Sequence, residues 1–114
     1  MIVVEAAIRV ADPSGRDALV AATAPVQQAT RDEEAGCLVY CFAADPVEAD
    51  LIQVYELWAD EATLRAHFDH PNYHRMREML NGAGLASAVS RKLRIDAESP
   101  VYGEDRRPVA GFPA

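Results

Sequence analysis

Along "IVVEAAIRV", residues 2–10, apolar side chains recur at every second position, with Ile2, Val4, Ala6, Ile8 and Val10 on one face and Glu5 and Arg9 on the other. A period of two is that of a half-buried strand. The chain then turns through "ADPSGRD", where Ser14 is a candidate N-cap. From residue 16 to about residue 32, Leu19, Val20, Val26 and Ala29 return at helical spacing. Pro25 lies inside that segment and predicts a kink or a break. Gly36 opens a second strand, "CLVYCFAA", which ends at "DPVEAD", and "LIQVYELW" is a third. The connection has hairpin length, so these two strands pair antiparallel.

Asp60 is a suitable N-cap for a helix starting at Glu61, with Leu64, His67 and Phe68 on one face. Pro71 interrupts the pattern, "NYHRMREML" resumes it with Tyr73, Met76 and Leu80, and "NGAG" stops it. Residues 87–95 form the last strand. The rest, "DAESPVYGEDRRPVAGFPA", is rich in Pro and Gly and predicts an extended tail, so a domain over residues 1–96 is followed by an arm over 97–114. The order βαββαβ is the ferredoxin-like arrangement of the α+β class, a four-stranded antiparallel sheet with two helices on one face.

Such a sheet leaves one face uncovered, and the middle strands bear on what covers it. Strand two offers Cys37, Val39 and Cys41 on one side and Leu38, Tyr40 and Phe42 on the other. Strand three sets Leu51, Tyr55 and Leu57 against Ile52, Val54 and Trp58. Neither face is polar, as a solvated face would be, so the second is expected to pack on another copy in a homodimer.

Of the 114 residues, half are apolar and a quarter charged, which suits one folded domain. No basic leader precedes the first strand, and its apolar run is too short for a signal or a membrane span, so a soluble cytoplasmic protein is expected. A net charge of −7 argues against nucleic acid and anionic membrane as partners, since both require clustered Lys and Arg. Cys37 and Cys41, about 13 Å apart on one strand, cannot bridge each other. They are read as buried reduced thiols, with a reactive or intermolecular cysteine as the alternative.

Against this background one stretch stands out: "VYELWADEATLRAHFDHPNYH" holds the only tryptophan and all three histidines. Val54, Glu56 and Trp58 project to one side of strand three. Glu56 is thus an acid on an apolar stripe, either paired to an arginine or lining a pocket with a raised pKa. His67 points back at the sheet near that stripe, as a hydrogen-bonded core residue or as a site residue. Phe68 is beside it, and Tyr73 and His74 are placed to close the mouth of the same cleft. The spacing of His67, His70 and His74 suggests a metal, but Pro71 displaces the third from the first two and no supporting ligand signature accompanies them, so no metal site is expected. Dinucleotide, nucleotide and nucleophile-elbow motifs are missing.

Taken together, "EEAGCLVYCF" followed by "IQVYELWADEATLRAHFDHPNYHRM" resembles the antibiotic biosynthesis monooxygenase domain, a family of dimeric α+β barrels that includes quinol monooxygenases, over residues 1–96. The resemblance implies oxidation of a small phenolic or quinol aromatic by O2 with no flavin, haem or metal cofactor. In that scheme His67 is the base or the partner of the phenolate, and the Trp58 indole N–H donates to an oxyanion. Glu56 is an alternative base or orients a histidine, while Phe68, Tyr73 and His74 contact substrate. Haem degradation is poorly supported, because strand one lacks the asparagine of that branch. The alternatives are an isomerase or lyase in the same cleft, or a non-catalytic dimeric ligand-binding or stress module.

Overall fold

A computed structural model describes residues 1–113. Strands β1 (Ile2–Val10), β2 (Cys37–Ala44), β3 (Leu51–Trp58) and β4 (Leu85–Arg94) form one antiparallel sheet in the order β2-β3-β1-β4. Helices α1 (Arg16–Glu33), α2 (Glu61–Asp69) and α3 (Pro71–Ala83) complete the ferredoxin-like α+β fold. Ile2, Ile8, Tyr40, Phe42, Ile52, Val54 and Trp58 from the sheet are buried in one core with Val26, Leu64, Met76 and Leu80 from the helices.

The helical segments depart from expectation for local reasons. Asp12, not Ser14, caps the first turn: its side chain accepts the Ser14 N–H at 3.0 Å over a 3-10 turn at Pro13–Gly15. Helix α1 continues through Pro25 without a break. Pro25 and Ala21, whose carbonyl loses its helical donor, are both exposed, so water can satisfy that oxygen. Its inner face meanwhile buries Thr23, Val26, Gln27 and Thr30. The helical pattern is interrupted at Pro71 as expected, and Pro71 itself begins α3, where its missing N–H costs nothing. Gly84 ends that helix with a φ of 82°, a left-handed conformation suited to glycine.

Helix α1 also closes an edge of the sheet. The Gln27 amide donates to the Phe42 carbonyl at 3.1 Å and accepts the Phe42 N–H at 3.0 Å. Arg31 Nε donates to the Tyr40 carbonyl at 2.8 Å. These side chains satisfy backbone groups that an edge strand otherwise presents to solvent.

The face assignment in β2 needs one correction. A register shift between Cys37 and Val39 pairs Cys37 with Trp58 and packs it against the core, while Leu38 is 51% exposed. A bulge of this kind reverses the alternation locally. On the face away from the helices, Tyr55, Val89 and Leu93 are exposed, in agreement with a two-sided apolar sheet. The tail is not simply extended. Tyr102 and Pro108 form a bridge, and Val109 N–H donates to the Val101 carbonyl at 2.7 Å, so the arm folds back on itself. Both cysteines are free, and among the described residues no helix is long and apolar enough to cross a membrane.

Candidate active site

Alternation along β3 directs Glu56 and Trp58 to the helix side, where they are 7% and 0% exposed. The Trp58 indole N–H donates to Glu56 Oε1 at 2.9 Å. Glu56 therefore has an indole as its partner, not an arginine. Burial pushes its pKa up to about 7, opposed by the Trp58 bond and assisted by the nearby Glu34 carboxyl.

Helix α2 is anchored directly after Trp58 by a capping box. Asp60 accepts the Thr63 N–H at 2.8 Å, and Thr63 Oγ1 accepts the Asp60 N–H at 3.2 Å. With the start of the helix fixed, Leu64 and His67 fall on its inner face. Gly36 passes so close to this cap that a Cβ there would collide with the Thr63 side chain. The "EAGC" stretch thus holds glycine because the chain crosses the start of α2 with no room for a side chain.

His67 is 2% exposed and packs on Trp58 with ring centroids 4.5 Å apart. The edge-on rings of Tyr40 and Tyr73 lie 5.5 Å from it on other sides. Its Nδ1 lies 2.7 Å from Oε1 of Glu34, the residue that ends α1 in extended backbone. A carboxylate only accepts, so Nδ1 carries the hydrogen and Nε2 is left with a lone pair. Glu34 Oε2 accepts from Asn72 Nδ2 at 3.3 Å, and the same amide donates to Glu33 at 3.1 Å. His70 Nδ1 accepts the Asn72 N–H at 3.0 Å at the start of α3. Burial lowers the pKa of His67, and the Glu34 hydrogen bond and charge act in the opposite direction.

These groups border a cleft of about 550 Å³ between the sheet and helices α2 and α3, with Tyr40, Glu56, His67, Phe68, Tyr73 and Met76 among its walls. A base-competent imidazole and a carboxyl that titrates near neutrality thus face one apolar and aromatic space. This arrangement can accept a proton from a bound hydroxyl and return it without bulk water.

His67, Glu56, Phe68 and Tyr73 all line the cleft. Trp58 does not: it packs against His67 behind the cleft wall, and its N–H donates to Glu56. His74 is placed apart from these residues. It lies on the exposed side of α3, outside the cleft lining, and touches Tyr73 with ring centroids 5.4 Å apart. Orientation of the histidine falls to Glu34, not Glu56. His67, His70 and His74 do not converge, and among the described residues no group of three or more His, Cys, Asp or Glu side chains is placed to hold a metal ion.

Glu34 and Tyr40 were not singled out from the sequence. The first belongs to the acidic opening of strand two and the second to the alternation of that strand, but neither pattern shows which side chain reaches a histidine on another element.

A family model described as antibiotic biosynthesis monooxygenase matches residues 1–79. Among solved structures, a candidate antibiotic biosynthesis monooxygenase from Deinococcus radiodurans aligns with a TM-score of 0.74 at 17% identity, over 90% of this chain and 100% of that one. PA3566 from Pseudomonas aeruginosa aligns with a TM-score of 0.65 at 26% identity, over 84% and 94%. Rv0793 from Mycobacterium tuberculosis gives 0.71 at 21%, over 88% and 100%. No curated protein sequence matches the chain.

Proposed function

This chain belongs to the antibiotic biosynthesis monooxygenase family, and from that premise we propose that it oxidises a small phenolic or quinol aromatic with O2, using no flavin, haem or metal. The observation that carries this reading is the Glu34–His67 pair, with Nδ1 held at 2.7 Å, on the wall of an aromatic cleft that also presents Glu56.

In this reading His67 Nε2 removes the phenol proton, which leaves an anion electron-rich enough to reduce O2 directly. One electron passes to O2, and the resulting phenoxyl and superoxide join through a new C–O bond at a ring carbon. The peroxide anion takes a proton back from the His67 imidazolium, or from Glu56 when that carboxyl is protonated. Cleavage of the O–O bond, with loss of the ring C–H proton, releases water and leaves a carbonyl. The sum is phenol plus O2 giving quinone plus water. The protein's part is to hold the proton, orient the ring and keep water from the radical pair.

The domain over residues 1–96 carries the activity in this reading, and 97–114 is an appendage. A second copy covers the open sheet face at Tyr55, Val89 and Leu93. A reducing, cytoplasmic setting suits the two free cysteines. Oxygen uptake by metal-stripped protein with a panel of dihydroxynaphthalenes and quinols tests the proposal. Uptake with at least one of them is expected. No uptake with any, together with unchanged ligand binding in His67→Ala, supports a non-catalytic binding module instead.

A further inference from the structure

Tyr40 projects from β2 into the core and is 1% exposed. Its ring lies edge-on to His67 at 5.5 Å and to Trp58 at 6.5 Å, and tilted on Phe42 at 5.2 Å. A buried tyrosine hydroxyl ordinarily has a hydrogen-bond partner. Among the described residues no protein group bonds to that of Tyr40, yet every fully occluded side-chain nitrogen or oxygen is paired. The hydroxyl therefore meets the open space of the cleft that Tyr40 helps to line.

Several donors close to Tyr40 are engaged, while Tyr73, Arg77, Asn81 and Ser90 line other parts of the same cleft. The Trp58 N–H is held by Glu56, the Asn72 amide by Glu33 and Glu34, and the His67 Nδ1–H by Glu34. At the mouth, the Tyr73 hydroxyl accepts from Arg77 at 3.4 Å. Burial and the carboxyls of Glu56 and Glu34 raise the Tyr40 pKa far above its ordinary value, so the group stays a neutral O–H donor across the working pH range.

We infer that Tyr40 is a further catalytic residue, whose hydroxyl donates a hydrogen bond to the substrate oxygen that gives its proton to His67. This rests on the reading of the cleft as a phenol site. In the step concerned, the substrate O–H bond breaks, an N–H bond forms at His67 Nε2, and the electron pair stays on the oxygen. The Tyr40 O–H then faces a full negative charge and gains a charge-assisted bond, stronger than the one it makes to the neutral phenol.

The test uses 4-nitrophenol, whose absorbance reports ionisation, with nitrobenzene as a probe of the same shape without the hydroxyl. Both are titrated in the absence of O2 into wild-type protein and Tyr40→Phe. Wild type is expected to bind the phenolate and to shift the bound phenol's ionisation to lower pH. Tyr40→Phe should bind the phenolate about tenfold to a hundredfold more weakly, bind nitrobenzene equally well and unfold at an unchanged temperature, because the lost hydroxyl has no partner within the protein. Equal phenolate affinity in the two proteins overturns the role of Tyr40 and leaves the phenol site standing. Absence of phenol binding in both overturns the phenol reading and this inference with it.

Discussion

Glu34 and His67, 33 residues apart, are joined by a 2.7 Å hydrogen bond that links the end of α1 to the inner face of α2 and decides which imidazole nitrogen faces the cleft. Glu34→Gln keeps an acceptor but removes the charge. Both effects of Glu34 raise the His67 pKa against the lowering by burial, so the substitution should move that pKa further down. NMR titration of the His67 ring checks the direction. In the proposed mechanism the proton moves to His67, so kcat/KM should fall at least about tenfold. Glu34→Ala, which leaves a buried ring N–H without a partner, should also cost about 1–3 kcal/mol in urea unfolding.

Glu56 makes stability depend on pH. Its folded-state pKa, about 7, is above the ordinary 4.5, so between those values the folded protein binds more protons than the unfolded chain. The contribution is therefore fully present below about pH 4.5 and is lost as pH rises through 7. Glu56→Gln retains an acceptor for Trp58 without the titration. It should match wild type at pH 4.5 and be more stable at pH 8 by on the order of 3 kcal/mol. Trp58→Phe, which removes the bond that holds this pKa down, should move the wild-type pH transition upward.

At Gly36 a methyl group has no room beside Thr63. Gly36→Ala should lower stability by about 1–3 kcal/mol, the usual cost of overpacking. It should also loosen the start of α2, seen as faster amide exchange at Thr63 and Leu64. Gly82→Ala, where a side chain meets open space, is the matched control and should be close to neutral.

The open sheet face predicts a dimer. Light scattering at micromolar concentration should give about twice the 12.4 kDa chain mass. A charge at Val89, 70% exposed on that face, should shift the protein towards monomer.

The strands were legible from the sequence because a period of two is short and unambiguous: β1, β2 and β3 begin and end where the alternation does. The bulge at Leu38 was not, since inserting one residue reverses the facing of Cys37 without changing the composition of the run. On α2 the cap at Asp60 fixed the phase, so His67 was correctly turned inward. His74 was not placed correctly, because α3 restarts at Pro71 with its own phase and Asn72, Met76 and Leu80 take the buried positions. Glu34 was hidden for a different reason. Its partner lies on another element, and only the path of the chain past Gly36 and the start of α2 brings the two together. Nor does alternation show whether a buried hydroxyl has a partner, which is why the open hydroxyl of Tyr40 could not be read from its strand.

The central claim is that the Glu34–His67 pair deprotonates a bound phenol so that the anion itself takes oxygen from O2. Turnover of a naphthol or quinol substrate under oxygen-18 gas, with mass spectrometry of the product, tests this most directly. Metal-stripped wild-type protein should place one labelled oxygen atom in the product, and His67→Ala should lose that labelling while retaining substrate binding. An unlabelled product, or labelling that His67→Ala leaves undiminished, would contradict the account.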